Sequence, residues 1–178
     1  MEPENSDILN YSCIAASDYF SLAVCNNHLF SFGKENRGRL GLGQENISYT
    51  DKLYELKLPN TKIKIKGVTC GQNHCLMWDV EGKIYSWGDG SDGKLGHGTI
   101  HGKYNYVITS PLPIIAMEEH RIMMASCGYR HSIALTYKGE IYTWGRYMFN
   151  KTEKLKPNTN VLSSNFIRPN KLTAFFKS

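Results

Sequence analysis

The feature that most constrains this chain is that it copies itself. "IYSWG" at 84–88 returns as "IYTWG" at 141–145, and a weaker "LFSFG" stands at 29–33. The glycines closing these copies, Gly33, Gly88 and Gly145, are 55 to 57 residues apart. The stretch upstream repeats in step. "TCGQNHCLMW" at 69–78 matches "SCGYRHSIAL" at 126–135, and "AASDYFSLAV" at 15–24 is the first copy, with Ser17 in place of the glycine and Phe20 in place of the histidine. Such units do not bury their apolar faces alone; they are buried by stacking on one another.

Within each unit the pattern predicts a hairpin. The turns read "NNH" at 26–28, "EGK" at 81–83 and "KGE" at 138–140, and the shared position is Asn27, Gly82 or Gly139. These residue types tolerate the positive φ that a tight turn needs. Glycine loops follow: "GKENRGRLGLG" at 33–43 and "GDGSDGKLGHG" at 88–98. They align as G-x4-G-[RK]-L-G-x-G through Gly38 and Gly41 in one and Gly93 and Gly96 in the other. The third unit continues instead as "RYMFNKTEKL". Outer strands are expected at 52–58, 110–117 and 168–175, and "KIKIKGV" at 62–68 reads as a strand with one face inward. Three units of four short strands predict an all-β chain. Its blades would be four-stranded antiparallel sheets, three consecutive blades of an incomplete β-propeller, spanning about 12–66, 67–121 and 122–178.

Register also separates structure from chemistry. The second glycine loop contains G-x4-G-K, but Leu95 follows where a phosphate loop places Ser or Thr, and no helix-forming run comes after it. A set that recurs once per unit shapes the unit. Gly33, Gly38, Gly41, Gly71, Gly82, Gly88, Gly93, Gly96, Gly128, Gly139 and Gly145 are therefore read as structural, and Phe32, Trp87 and Trp144 as core residues between blades. His74 beside Cys75 suggests a nucleophile–base pair. Strand neighbours point to opposite faces, and Phe20 and His131–Ser132 occupy the same register, so no enzyme is expected. The five cysteines are odd in number and lack a C-x-x-C pair, which argues against a disulfide framework or a metal site. No cofactor is expected.

The combination Cys-Gly-x-x-His, then a hairpin ending Tyr-x-Trp-Gly, then Gly-[Lys/Arg]-Leu-Gly resembles the blade pattern of the regulator of chromosome condensation family, over residues of roughly 12 to 175. The resemblance implies a seven-bladed propeller, of which three blades are a part. It implies binding without catalysis: guanine-nucleotide exchange on a small, Ran-like GTPase, or a docking platform such as similar repeats provide in large ubiquitin ligases and kinases. It also implies that the Gly-x-x-His loops lie where a partner docks. The matching positions are Asp18, Tyr19 and Phe20; Gln72, Asn73 and His74; Tyr129, Arg130 and His131. For His74 and His131 the alternative is a hydrogen bond to a neighbouring blade's backbone. Three blades leave two apolar faces open, so further blades of a longer parent chain or self-association are expected.

Charge adds a second class of partner. From Gly145 onward seven basic residues stand against Glu153 alone, so the formal net charge of +5 is concentrated at this end. Such a segment is either a solvated tail or a nucleic-acid or chromatin contact. No apolar run is long enough to span a bilayer, so no membrane is expected. The acidic, polar first ten residues do not form a signal peptide, which points to an intracellular protein, nuclear or cytoplasmic.

Overall fold

The computed structural model describes residues 10–43, 47–100, 103, 105–146 and 165–171. The first sheet consists of β1 (Tyr11–Ala16), β2 (Phe20–Cys25), β3 (His28–Lys34) and β4 (Tyr49–Glu55). The second is built from β5 (Ile65–Cys70), β6 (His74–Asp79), β7 (Ile84–Asp89) and β8 (Val107–Pro113). β9 (Ile122–Cys127), β10 (His131–Thr136), β11 (Ile141–Arg146) and β12 (Asn165–Lys171) form the third. Each is an antiparallel meander in chain order. The chain is all-β, as the repeats predict, and the three sheets do not close into a ring.

The hairpins form where the turn residues put them. Asn26 and Asn27 both adopt positive φ, +48° and +67°, the requirement of a type I′ turn between Cys25 and His28. Gly82 takes φ +89°, and a Cβ there would meet the backbone of Arg121 at 2.8 Å. Here glycine serves both the turn and a close approach by the next sheet.

The outer strands are displaced from their expected ranges. They begin at Tyr49, Val107 and Asn165, three residues earlier than the apolar runs suggest. The apolar ends of those runs are core residues beyond the strands. Leu56 and Ile114 are buried, and Met117 closes a short 3-10 turn, Ile115–Met117, against the next sheet. Residues 172–175 of the third expected strand lie outside the described residues. In "KIKIKGV" Ile63 and Ile65 are buried and Lys62, Lys64 and Lys66 exposed, so the alternation holds, although β5 begins only at Ile65.

Alternation divides the core into two slabs. On β6, Cys75 and Met77 join Leu22, Val24, Leu29 and Trp87 between the first and second sheets. The intervening Leu76 joins Ile84, Ile122, Tyr142 and Trp144 between the second and third. The leading face of the first sheet has no such cover among the described residues. Val68 and Ala125 are 7% and 9% exposed, whereas Ile14, at the same register, is 76% exposed. Phe32 departs from its expected role for the same reason. It shares a register with Trp87 and Trp144, which are fully buried, yet it is only half-buried because no preceding sheet packs on it.

This asymmetry sets an expected outcome. Trp87→Ala should cost about 3–5 kcal/mol, the usual range for a large aromatic in a packed core. Phe32→Ala should cost less than half as much. Urea denaturation of the two variants measures the difference.

Candidate protein-binding face

The face rests on the glycine loops. Leu40 and Leu95 are fully buried, and the hydroxyls of Ser31 and Ser86 donate to their carbonyls at 2.7 and 2.8 Å, tying each loop to its own sheet. The preceding residue ties the loop to the next sheet. Arg39 O accepts from Trp87 Nε1 at 3.1 Å and from the Cys75 thiol at 3.4 Å, and Lys94 O accepts from the Ser132 hydroxyl at 2.8 Å. Glycine makes the approach possible, since a Cβ on Gly41 would lie 2.9 Å from Trp87 Nε1 and one on Gly96 3.0 Å from Trp144 Nε1. These loops aim carbonyls into the protein, the opposite polarity from a phosphate cradle, which presents N–H groups.

The Gly-x-x-His loops meet at one end of the sheets. The Ser17 hydroxyl donates to Gly71 O at 2.7 Å, and a Cβ on Gly71 would lie 2.4 Å from Gly128 O. In the other copies the histidine ring fills that position and only glycine fits; Ser17, with Phe20 in place of the histidine, joins loop to loop through its hydroxyl. Between them runs a chain of side chains. Arg39 stacks over Tyr19, 5.1 Å from the ring centre, and donates to Asn73 Oδ1 at 2.9 Å. Gln72 donates to the Tyr129 hydroxyl. Arg130 lies 5.5 Å from the Tyr129 ring and 3.5 Å from Asp92 Oδ2. Asp18, Tyr19, Tyr129 and Arg130 are exposed, and Gln72, Asn73 and His131 are half-buried.

His74 does not reach that face. It is fully buried, with Nε2 2.9 Å from Ser132 Oγ on the third sheet. Besides this side-chain partner, the backbone of His131 on the same neighbouring sheet hydrogen-bonds the imidazole, in line with the alternative reading of this residue. Cys75 Sγ points the other way, toward Arg39 O of the first sheet, so the two neighbours form no catalytic pair. Burial, then the charge of Lys94, pushes the His74 imidazole down to about 3. Burial also lowers His131.

Several residues of this end were not singled out from the sequence. Arg37 pairs with Asp89 at 2.9 Å, and Asp92 with Arg146 at 3.9 Å. Lys94, nearly fully buried, donates to Asp89 Oδ2 at 2.8 Å and to Ser91 O at 2.7 Å. Burial alone would raise the Asp89 carboxyl, but the hydrogen bonds from Lys94 and Ser91 outweigh it and hold it at about 2. A signal was present: Arg39 and Lys94 are both cations at one register of the glycine loop, and a cation kept in two buried loops needs a partner. Among the described residues no group of three or more His, Cys, Asp or Glu could hold a metal ion. Most of the basic C-terminal segment, including Lys151, Lys154, Lys156 and Lys177, lies outside the described residues.

Comparison with known proteins agrees with this architecture. Models of the regulator of chromosome condensation (RCC1) repeat match residues 26–78 and 81–135, and a second such model matches 125–146. The chain is 34% identical over 161 residues to the mouse E3 ubiquitin-protein ligase HERC2, covering 86% of this chain and 3% of that protein. It is 34% identical over 160 residues to the ultraviolet-B receptor UVR8 of Arabidopsis thaliana (86% and 34%), and 30% identical over 142 residues to the human X-linked retinitis pigmentosa GTPase regulator (80% and 13%). The chain thus spans about a third of the length of these relatives at most. The structure of Prp20p from Saccharomyces cerevisiae superposes with a TM-score of 0.73 at 22% identity, over 94% of this chain and 39% of that one. Human WBSCR16 gives 0.73 at 21%, over 92% and 39%. Both show the same fold.

The buried imidazole carries a pH dependence. Its folded pKa lies below the unfolded value, so below about pH 6.5 the unfolded chain binds a proton that the native one refuses. Stability is then lost as pH falls from about 6.5 toward 3, at up to about 1.4 kcal/mol per pH unit from this group. Phenylalanine fills the position in the first repeat, so His74→Phe should flatten the loss of stability between pH 7 and 5. Urea midpoints of both proteins across that range check it.

Proposed function

We propose, from the premise that the chain belongs to the regulator of chromosome condensation repeat family, that it is a propeller segment whose Gly-x-x-His face binds a protein partner without catalysis. The observation that carries this reading is the paired aromatic and cation at each end of the face. Tyr19 is an exposed ring braced by the buried Arg39, and Tyr129 is an exposed ring beside the exposed Arg130. Tyr and Arg are the residue types that dominate binding energy at protein interfaces. Asp18, Gln72 and Asn73 supply hydrogen-bonding groups between and beside them.

The partner class favoured is a small GTPase. One relative is named a GTPase regulator, and the yeast structure is described with binding to Gsp1p and histones. Exchange on such a partner needs no acid or base from this chain. A surface that binds the nucleotide-free GTPase more tightly than the loaded form shifts the equilibrium toward release. With the HERC2 relative, of which this chain spans 3%, the likeness supports instead a docking segment within a larger assembly. The basic C-terminal segment supports a third reading, association with chromatin or nucleic acid in a nuclear setting.

One experiment separates them. Binding to a panel of purified small GTPases is measured for the chain, for Tyr129→Ala/Arg130→Ala, and for a variant with Lys151, Lys154 and Lys156 changed to Gln. The face variant should lose at least tenfold in affinity and the tail variant little. If binding to DNA is stronger than to any GTPase, and falls steeply with salt in the chain but not in the tail variant, the nucleic-acid reading replaces this one.

A further inference from the structure

The repeats supply an internal control. Positions that recur build the blade, and positions that do not recur are free to serve something else. The strongest non-recurring cluster lies at the hairpin-turn end, opposite the Gly-x-x-His loops. Tyr137 begins the β10–β11 turn and is 50% exposed. Its counterparts in the other turns are Val80 and Asn26. Lys66 on β5 has its Nζ 4.6 Å from the centre of the Tyr137 ring, and that Nζ donates to the phenol oxygen. Arg121, just ahead of β9, has its Cζ 5.2 Å from the same centre. The trio does not recur: the joint before it carries Ser12, Lys64 and Val80 in the places of Lys66, Arg121 and Tyr137.

Two positive charges are thus held within about 10 Å of each other around one phenol. Neither pairs with a carboxylate among the described residues. Arg121 is oriented by its Nε, which donates to Glu81 O at 3.1 Å, leaving both terminal nitrogens to take a ligand. The hydrogen bond from Lys66, and the charges of both cations, hold the phenol below its ordinary value, so the site already favours a negative oxygen. Donors from three separate chain segments converge here: the Lys66 ammonium, the Arg121 guanidinium and the Tyr137 hydroxyl. They match the several oxygens of a phosphate, for which the planar guanidinium is the preferred donor. Beside the site lies a groove of about 490 Å³, bounded by Val80 and Glu81, the turn that orients Arg121, and floored by Ile63, Ile84 and Ile114. That groove has room for the apolar side chain of a peptide.

We propose that Lys66, Arg121 and the Tyr137 hydroxyl bind a phosphate monoester on a partner protein, with a neighbouring apolar side chain of that partner in the groove. The site is separate from the GTPase face and does not depend on that reading.

The test follows the Tyr137 ring carbon resonance of the full chain, assigned by loss of the signal in Tyr137→Phe. The probes are inorganic phosphate, acetate, and two short peptides that carry serine or phosphoserine beside a leucine. Phosphate should give a saturable shift and acetate none, and the phosphopeptide should bind at least tenfold more tightly than phosphate while the serine peptide does not bind. Lys66→Ala and Arg121→Ala should each weaken phosphopeptide binding at least fivefold with circular dichroism unchanged, and Lys52→Ala, an exposed cation of the first sheet away from the groove, should leave it as it is. Equal responses to acetate and phosphate, or an equal loss in Lys52→Ala, would reduce the site to unspecific charge and overturn the proposal. A phosphopeptide no tighter than inorganic phosphate would overturn the assignment to a protein partner.

Discussion

Everything else in this protein depends on a buried carbonyl that its own sheet does not satisfy. Arg39 O and Lys94 O leave their loops and find donors only on the following sheet, at Trp87 and Cys75 in one case and at Ser132 in the other. A buried carbonyl without a donor costs as much as a lost hydrogen bond. Each glycine loop is therefore in its stable conformation only when the next sheet is in place. Stability passes from neighbour to neighbour, as in other repeat folds, and no sheet here is an independent unit. The same loops position Arg39, and through it Tyr19 and Asn73, so the proposed binding face inherits its rigidity from the joints between sheets.

Apolar packing alone would not tell one joint from the next, because Trp87 and Trp144 offer the same surface. Charge does. The first sheet carries Lys34 and Arg37 where the second carries Asp89 and Asp92, and the third answers with Arg146. Arg37 meets Asp89, and Asp92 meets Arg146 and Arg130, so the sign alternates along the chain. The partly exposed pairs of Asp92 contribute only about 0–1 kcal/mol each. Their effect is on order: a sheet docked out of sequence would set like charges against each other. Asp89 differs from the rest, since Lys94 and Ser91 hold it in place from its own loop.

Against this recurring frame, the functional candidates are the departures. Asp18–Tyr19, Gln72–Asn73 and Tyr129–Arg130 occupy equivalent loop positions and share no residue. Recurring packing beneath and variable side chains above are what the proposed docking of one partner across several loops requires. At the other end Tyr137, Lys66 and Arg121 break the pattern in the same way.

The sequence by itself determined the repeat, the hairpins and their turn residues. Those follow from residue type and spacing, since a positive φ or an alternating face is a local requirement. Three things needed the tertiary structure. The outer strands began earlier than their apolar runs, because Leu56, Ile114 and Met117 are drawn into the core by contacts distant in sequence. His74 proved to be an internal strut and Phe32 a half-open one, because exposure depends on which neighbour is present and not on register. The ion pairs between sheets and the stacking of Arg39 on Tyr19 join residues 20 to 54 positions apart, and no local pattern carries that information. Spacing fixes what each unit is; only the packing of one unit on the next decides what each residue touches.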